Sequence, residues 1–92
     1  NDAATYVAVS AIATVGFPSI SANSEATVTA AITGASSGYS VVAGWSAAFE
    51  DGIIIKQIWI SADDTCSIRV ANITASPIDP ASVTAYLIAL SN

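Results

Sequence analysis

Side chains that carry out acid–base and nucleophilic chemistry are scarce in this chain. It has no histidine and a single cysteine, Cys66, among 92 residues. A Ser-His-Asp or Cys-His arrangement is therefore impossible, and the usual general base near neutral pH is missing. One cysteine without histidine also cannot hold zinc or an iron cluster. We therefore predict that the chain is not an enzyme and has no catalytic, cofactor-binding or metal-binding residues.

Carboxylates occur as two adjacent pairs, Glu50-Asp51 and Asp63-Asp64. Such pairs could bind calcium if two loops met and backbone carbonyls completed the site. Two carboxylates are also the minimum for glycoside hydrolysis, but a chain this short lacks the length for a deep cleft. Adjacent acids between strands more often form turns, in which a carboxylate accepts backbone N–H bonds. We expect that role for both pairs.

Three further features could have a chemical role. Asn72-Ile73-Thr74 matches the glycosylation sequon, a match short enough to arise by chance. Cys66 alternates with apolar residues, which predicts a buried, unreactive thiol. Four aromatic side chains in alternating strands could stack on a carbohydrate, although such positions are more often core or interface. These aromatic residues are Tyr39, Trp45, Trp59 and Tyr86.

The chain is unusually poor in charge. Only 10% of its residues are charged, against roughly 25% in average soluble domains. The formal net charge is −5, and Lys56 and Arg69 are the two basic residues. Binding to nucleic acid or to anionic membranes is disfavoured, because both need clustered basic side chains. No apolar run approaches the ~20 residues that a membrane-spanning helix needs.

Two-residue alternation of apolar and polar residues, interrupted by turn clusters every eight to twelve residues, predicts an all-β fold. The predicted strands cover residues 5–14, 25–33, 39–45, 53–60, 65–73 and 82–90, with a short extended segment near Ile20. We predict a single small antiparallel β-sandwich, jelly-roll-like, of about seven strands. Residues 1–17 are predicted to form an N-terminal strand or arm, and residues 18–92 the sandwich.

The alternation also predicts which side chains face the core. In the strand over residues 65–73, Cys66, Ile68 and Val70 should point inward, and Ser67, Arg69 and Ala71 outward. Lys56 marks an outward position in the strand over residues 53–60. The strand over residues 5–14 is apolar on both sides, and Gly16-Phe17-Pro18 separates it from the rest. It is therefore the segment that is expected to behave as an arm.

Two stretches resemble a pattern of small β-proteins from tailed bacteriophages. They are PSISANSEATVTAAITGASSGYSVVAG, residues 18–44, and WISADDTCSIRVANITASPIDPAS, residues 59–82. The pattern combines a strand entry, a glycine turn, an acidic turn and a strand that ends in a Pro-containing loop. It is similar to that of capsid decoration (cement) proteins. Residues 1–17 lie outside the pattern, and Cys66 stands where a valine or another small apolar residue is expected.

The resemblance implies a non-enzymatic virion protein on the outer surface of the capsid. Its expected partners are the major capsid protein of the same virion and copies of itself, as a dimer or trimer at a symmetry axis; neither nucleic acid nor a membrane is expected. The N-terminal strand would add to a partner's sheet edge. The residues expected to contact a partner are Tyr6, Val7, Val9, Ile12 and Phe17. An alternative is an adhesin-like or receptor-binding β-sandwich of a tail fibre or pilus, since a fold does not dictate function.

Overall fold

The structure, a computed structural model, describes residues 7–91. This part of the chain forms six strands and no helix. The strands are β1 (Ala8–Val15), β2 (Ser24–Ala31), β3 (Ser40–Trp45), β4 (Ile53–Ala62), β5 (Thr65–Asn72) and β6 (Val83–Leu90). They make two three-stranded antiparallel sheets, β1-β6-β3 and β2-β5-β4. We call them the β6 sheet and the β5 sheet after their central strands.

The two sheets pack face to face as a sandwich. β6 pairs with β1 over eight residues, from Ala8 opposite Leu90 to Val15 opposite Val83, and with β3 on its other side. β5 lies between β2 and β4 in the same way. Across the interior, β1 contacts β2 and β3 contacts β4. The prediction of an all-β sandwich is confirmed, and β1 pairs within it.

Alternating residues fill the space between the sheets. The inward side chains of β6 are small or medium-sized, and Leu87 is 1% exposed. They meet the fully buried Ile68 and Val70 of β5 and Ile32, which follows β2. Phe17, Phe49 and Trp45 stack edge to face, with ring centroids 6.0 and 5.1 Å apart. Aromatic pairs in this geometry add to the stability that burial provides.

The predicted core positions are largely confirmed. Cys66 is fully buried as expected, and burial raises the pKa of its thiol. Lys56 is exposed on β4. Ser67 and Ala71 lie on the outward side of β5 as predicted, but they are only 5% and 9% exposed. Because β5 is the central strand, side chains from β2 and β4 reach over both positions.

The structure has six strands where about seven were expected. The extended segment near Ile20 forms one isolated bridge to Ile78. The backbone bonds run both ways, with N to O distances of 2.7 and 3.0 Å. Pro18 and Pro77 flank this bridge and cannot donate to a ladder, so the pairing does not extend.

Candidate functional site

The outward side of the β6 sheet is an uncharged surface. None of the residues in β1, β3 and β6 carries a charge. Five large side chains project from it, and each is at least 40% exposed. They are Ile12 on β1, Val42 on β3, and Tyr86, Ile88 and Leu90 on β6. We call these five residues the apolar face.

The strand register brings these side chains together. Ile12 lies opposite Tyr86, and Val42 lies opposite Ile88. Directly opposed side chains in an antiparallel pair have Cβ atoms about 4.5–5.5 Å apart, so the apolar face is continuous across all three strands. Its five side chains are between 40% and 74% exposed, and the largest apolar patch of a soluble domain is often functional.

The outward side of the β5 sheet has the opposite character. Lys56 on β4 forms an ion pair with Glu25 on β2, and this hydrogen bond lowers the pKa of Glu25. The pair reaches across Ala71, which lies between β2 and β4 in the register and is thereby covered. The outward side of the β5 sheet therefore carries charged side chains together with the exposed Ile54, whereas the outward side of the β6 sheet carries no charge.

Polar contacts continue along the β5 sheet. The Arg69 guanidinium lies 5.0 Å from the centre of the Trp59 ring, and its Nε donates to Thr27 Oγ1 at 3.2 Å. The hydroxyls of Ser61 and Ser67 are 2.6 Å apart. The bond to Ser61 gives the Ser67 hydroxyl a partner, which explains why a serine can be buried on the outward side of the central strand.

The predicted partner contacts fall in different environments. Val7 is 49% exposed and Ile12, on the apolar face, is 74% exposed. Val9 points inward and packs against the core, and Phe17 is only 5% exposed beside Phe49. Tyr6 lies outside the described residues. A partner could reach Phe17 only if the sandwich opened, so Val7 and Ile12 are the most exposed of the four members that the structure describes.

Sequence reasoning missed the apolar face as a unit. The alternation had already placed Tyr86, Ile88 and Leu90 together on one side of their strand. It contains no signal that β1 and β3 flank β6, which is what adds Ile12 and Val42 to the same surface.

The acidic pairs act in turns, as predicted. Asp64, at φ 61°, accepts the Gly34 N–H through Oδ1 at 2.7 Å. Glu50 Oε2 accepts the Ala81 N–H at 2.8 Å, and this bond lowers the pKa of the Glu50 carboxyl. Across residues 7–91, no three potential ligands among Asp, Glu, Cys and His gather where a metal ion could bind.

The sequon asparagine is a structural residue. Asn72 is 1% exposed, and its Nδ2 donates to carbonyls of Ile20, Ser21 and Ser76 at 3.0, 3.3 and 2.8 Å. Its Oδ1 accepts from the N–H and the hydroxyl of Thr74 at 2.9 and 2.7 Å. The Asn72 amide therefore satisfies backbone groups of the neighbouring loops. The folded domain leaves its amide nitrogen inaccessible to glycosylation.

The four aromatic residues do not form one platform. Trp45 points into the sandwich against Phe49, whereas Tyr86 belongs to the apolar face. Trp59 lies on the β5 sheet under Arg69. Tyr39 packs against the core, whereas Trp59 is partly exposed beside the Arg69 guanidinium.

In the part of the chain that the structure describes, we find no helix with the length and apolarity to cross a membrane. Comparison with known protein families, with curated proteins and with solved structures finds no match to this chain. The fold and the site define an all-β sandwich with an uncharged outer face on the β6 sheet and a charge-bearing outer face on the β5 sheet. The resemblance to capsid decoration proteins stays a prediction from the sequence motifs.

Proposed function

We propose that this chain is a non-enzymatic virion protein that binds the outside of a bacteriophage capsid and stabilises it through contacts with the major capsid protein. The observation that carries the proposal is the apolar face on the uncharged β6 sheet. The motifs in residues 18–44 and 59–82 supply the link to a capsid.

The energetics of the apolar face suit repeated attachment to a lattice. Burial of the five exposed side chains would stabilise the contact by about 25 cal/mol for each Å² of apolar surface removed from water. Loss of translational and rotational freedom costs about 4–15 kcal/mol, so one contact gives a modest net affinity. No charge has to be desolvated on this face, which keeps the polar cost low.

The charged face suits exposure to solvent. Glu25, Lys56 and Arg69 lie on the outward side of the β5 sheet, on the opposite side of the sandwich from the apolar face. A domain that docks through the β6 sheet would therefore leave its charged surface outward. Such a surface keeps a decorated particle soluble.

The test uses phage heads assembled without this protein. Wild-type protein should co-sediment with them and raise the temperature at which they rupture. Ile88→Lys should weaken binding at least tenfold, because it places a charge in the apolar face. Thr29→Lys is the matched control, since Thr29 is an exposed strand position on the β5 sheet, and it should bind like wild type. Failure of the wild type to bind, or equal binding by both variants, would overturn the proposal.

One observation favours a second candidate, a carbohydrate-binding adhesin module. Trp59 lies on the charged sheet with Arg69 over its ring and the Ser61–Ser67 hydroxyls nearby. Aromatic rings beside hydrogen-bonding groups are suited to sugars. A glycan array separates the candidates: a specific sugar signal lost in Trp59→Ala and kept in Ile88→Lys would favour adhesion.

A further inference from the structure

β1 has one side without a neighbour in the described chain. It pairs with β6 alone, at the edge of the β6 sheet. Val7 O accepts the Ser91 N–H at 2.9 Å, so the backbone of Val7 is directed toward β6. Bonding direction alternates along an antiparallel ladder. The N–H and C=O groups of Ala8, Ser10, Ile12 and Thr14 therefore point away from the sheet, as a row of unused donors and acceptors.

The other long edges carry features that hinder pairing with another chain. β4 contains Lys56 and two register irregularities, between Ile55 and Gln57 and between Ile60 and Ala62. β2 carries Glu25, and β3 has only six residues. β1 has eight residues in unbroken register, without charge or proline. Natural proteins protect edge strands with the devices found on β4 and β2, and β1 has none of them.

We propose that β1 pairs antiparallel with β1 of a second copy around a two-fold axis at Ala11. The result is a six-stranded sheet that runs through both copies. This inference stands apart from binding to a shell, since it needs no partner other than the chain itself.

The register follows from the free backbone groups. Two-fold pairing that uses all four outward-directed residues places Ala8 opposite Thr14 and Ser10 opposite Ile12 of the second copy. Each free N–H and C=O then finds a partner. Val9 of one copy lies opposite Ala13 of the second copy, and the two Ala11 residues lie opposite each other. Each contact therefore joins a larger side chain with a smaller one, or two small ones. Close packing requires this complementarity of volume.

The lack of charge on β1 favours a second copy as the occupant. Each copy has a net charge of −5, yet β1 brings no charge into the contact. The outward-directed backbone groups of β1 are also complementary to themselves around the two-fold axis, so that a second copy satisfies all of them.

Cysteine cross-linking tests the register directly. In this pairing Ala11 of one copy and Ala11 of the other form a non-hydrogen-bonded pair with Cα atoms about 4.5 Å apart, within the range of a disulfide. Ala11→Cys should give a covalent dimer under mild oxidation. Ala13→Cys is the control, because its Cα atoms would be about 13 Å apart. The native Cys66 is fully buried and should not react. Equal cross-linking of the two variants, or none, would overturn the proposal.

A second variant separates pairing from folding. Ser10→Pro removes an outward N–H while leaving the bonds to β6 in place, a position where an edge strand accepts proline. We expect sedimentation to show a monomer and circular dichroism to show an unchanged β-sheet spectrum. A folded variant that still dimerises would contradict the register.

A third variant separates dimerisation from shell binding. Ile88→Lys combined with Ala11→Cys should cross-link normally even where shell binding is lost. Failure of dimerisation and failure of shell binding are therefore distinguishable.

Discussion

Asn72 shows how one side chain fixes the connections at one end of the sandwich. It joins the segment before β2 to the loop after β5 through carbonyls of Ile20, Ser21 and Ser76. When one partner of a buried hydrogen bond is removed, the other stays buried without water or a new partner, and this destabilises the folded state. The amide supplies two N–H donors for the carbonyls and a separate oxygen that accepts from Thr74, whereas a hydroxyl has only one donor.

We therefore expect Asn72→Ala to lower the free energy of unfolding by about 2 to 3 kcal/mol. Urea denaturation followed by tryptophan fluorescence measures the change. Ser37→Ala, in an exposed loop, is the control and should stay within about 0.5 kcal/mol of wild type. Equal stability of the two variants would show that water replaces the Asn72 amide.

Glu50 and Glu25 make stability depend on pH. Both carboxyls have a lowered pKa in the folded state, Glu50 through the Ala81 N–H and Glu25 through Lys56. A group with a lowered folded pKa contributes stability above its unfolded pKa and loses it as pH falls through the folded value.

The midpoint of thermal unfolding should therefore fall as pH drops below the ordinary glutamate range. Glu50→Gln should lower the thermal midpoint at neutral pH, and the midpoint of this variant should fall less on acidification than that of the wild type. A thermal series from pH 7 to pH 3 on both proteins measures it. A midpoint that rises on acidification would contradict the assignment.

At the scale of elements, the connection before β4 depends on a glycine. Gly52 has φ +92°, and its carbonyl accepts the Ile73 N–H at 2.9 Å. A Cβ added there would overlap Cγ2 of Thr74. The turn thus packs tightly against the loop after β5 and also needs a backbone conformation that glycine adopts without strain.

Gly52→Ala should therefore destabilise the fold by about 2 kcal/mol or more. Gly44→Ala is the matched control, since its Cβ would lie 3.9 Å from the nearest Tyr86 atom at ordinary contact distance. We expect it to be neutral or slightly stabilising, because glycine weakens a strand. Chemical denaturation of both variants measures the difference, and similar losses would refute the steric argument.

The sequence predicts each strand better than it predicts their arrangement. Alternation correctly separated the two sides of β2, β3 and β6. It could not orient β1, whose two sides are both apolar. It did not predict the burial of Ser67 and Ala71, because burial on the outward side of β5 depends on Trp59, Glu25 and Lys56 from neighbouring strands. The apolar face could not be predicted for the same reason. It depends on the order of strands in the β6 sheet, and that order is set by contacts between residues distant in sequence.

At the scale of the whole molecule, charge is divided between the two sheets. The charged strand residues are Glu25, Lys56 and Arg69, all on the β5 sheet, and the other described charges lie in the connections. Stacked sheets lie about 10 Å apart. Copies that meet through the outward side of the β6 sheet therefore keep their charged strands apart by more than a Debye length of about 8 Å at physiological salt.

This division predicts the sign of the salt dependence of dimerisation. The proposed β1 contact contains no ion pair, so salt acts only on the repulsion between two copies of net charge −5. Screening extends over about 20 Å at low salt and shrinks below about 8 Å at higher salt. Raising the ionic strength should therefore tighten the dimer several-fold in analytical ultracentrifugation. The double variant Asp51→Asn, Asp79→Asn, which alters two exposed loop residues, should show a weaker dependence. A dimer that dissociates as salt rises would instead be held by opposite charges, and the β1 contact would be wrong.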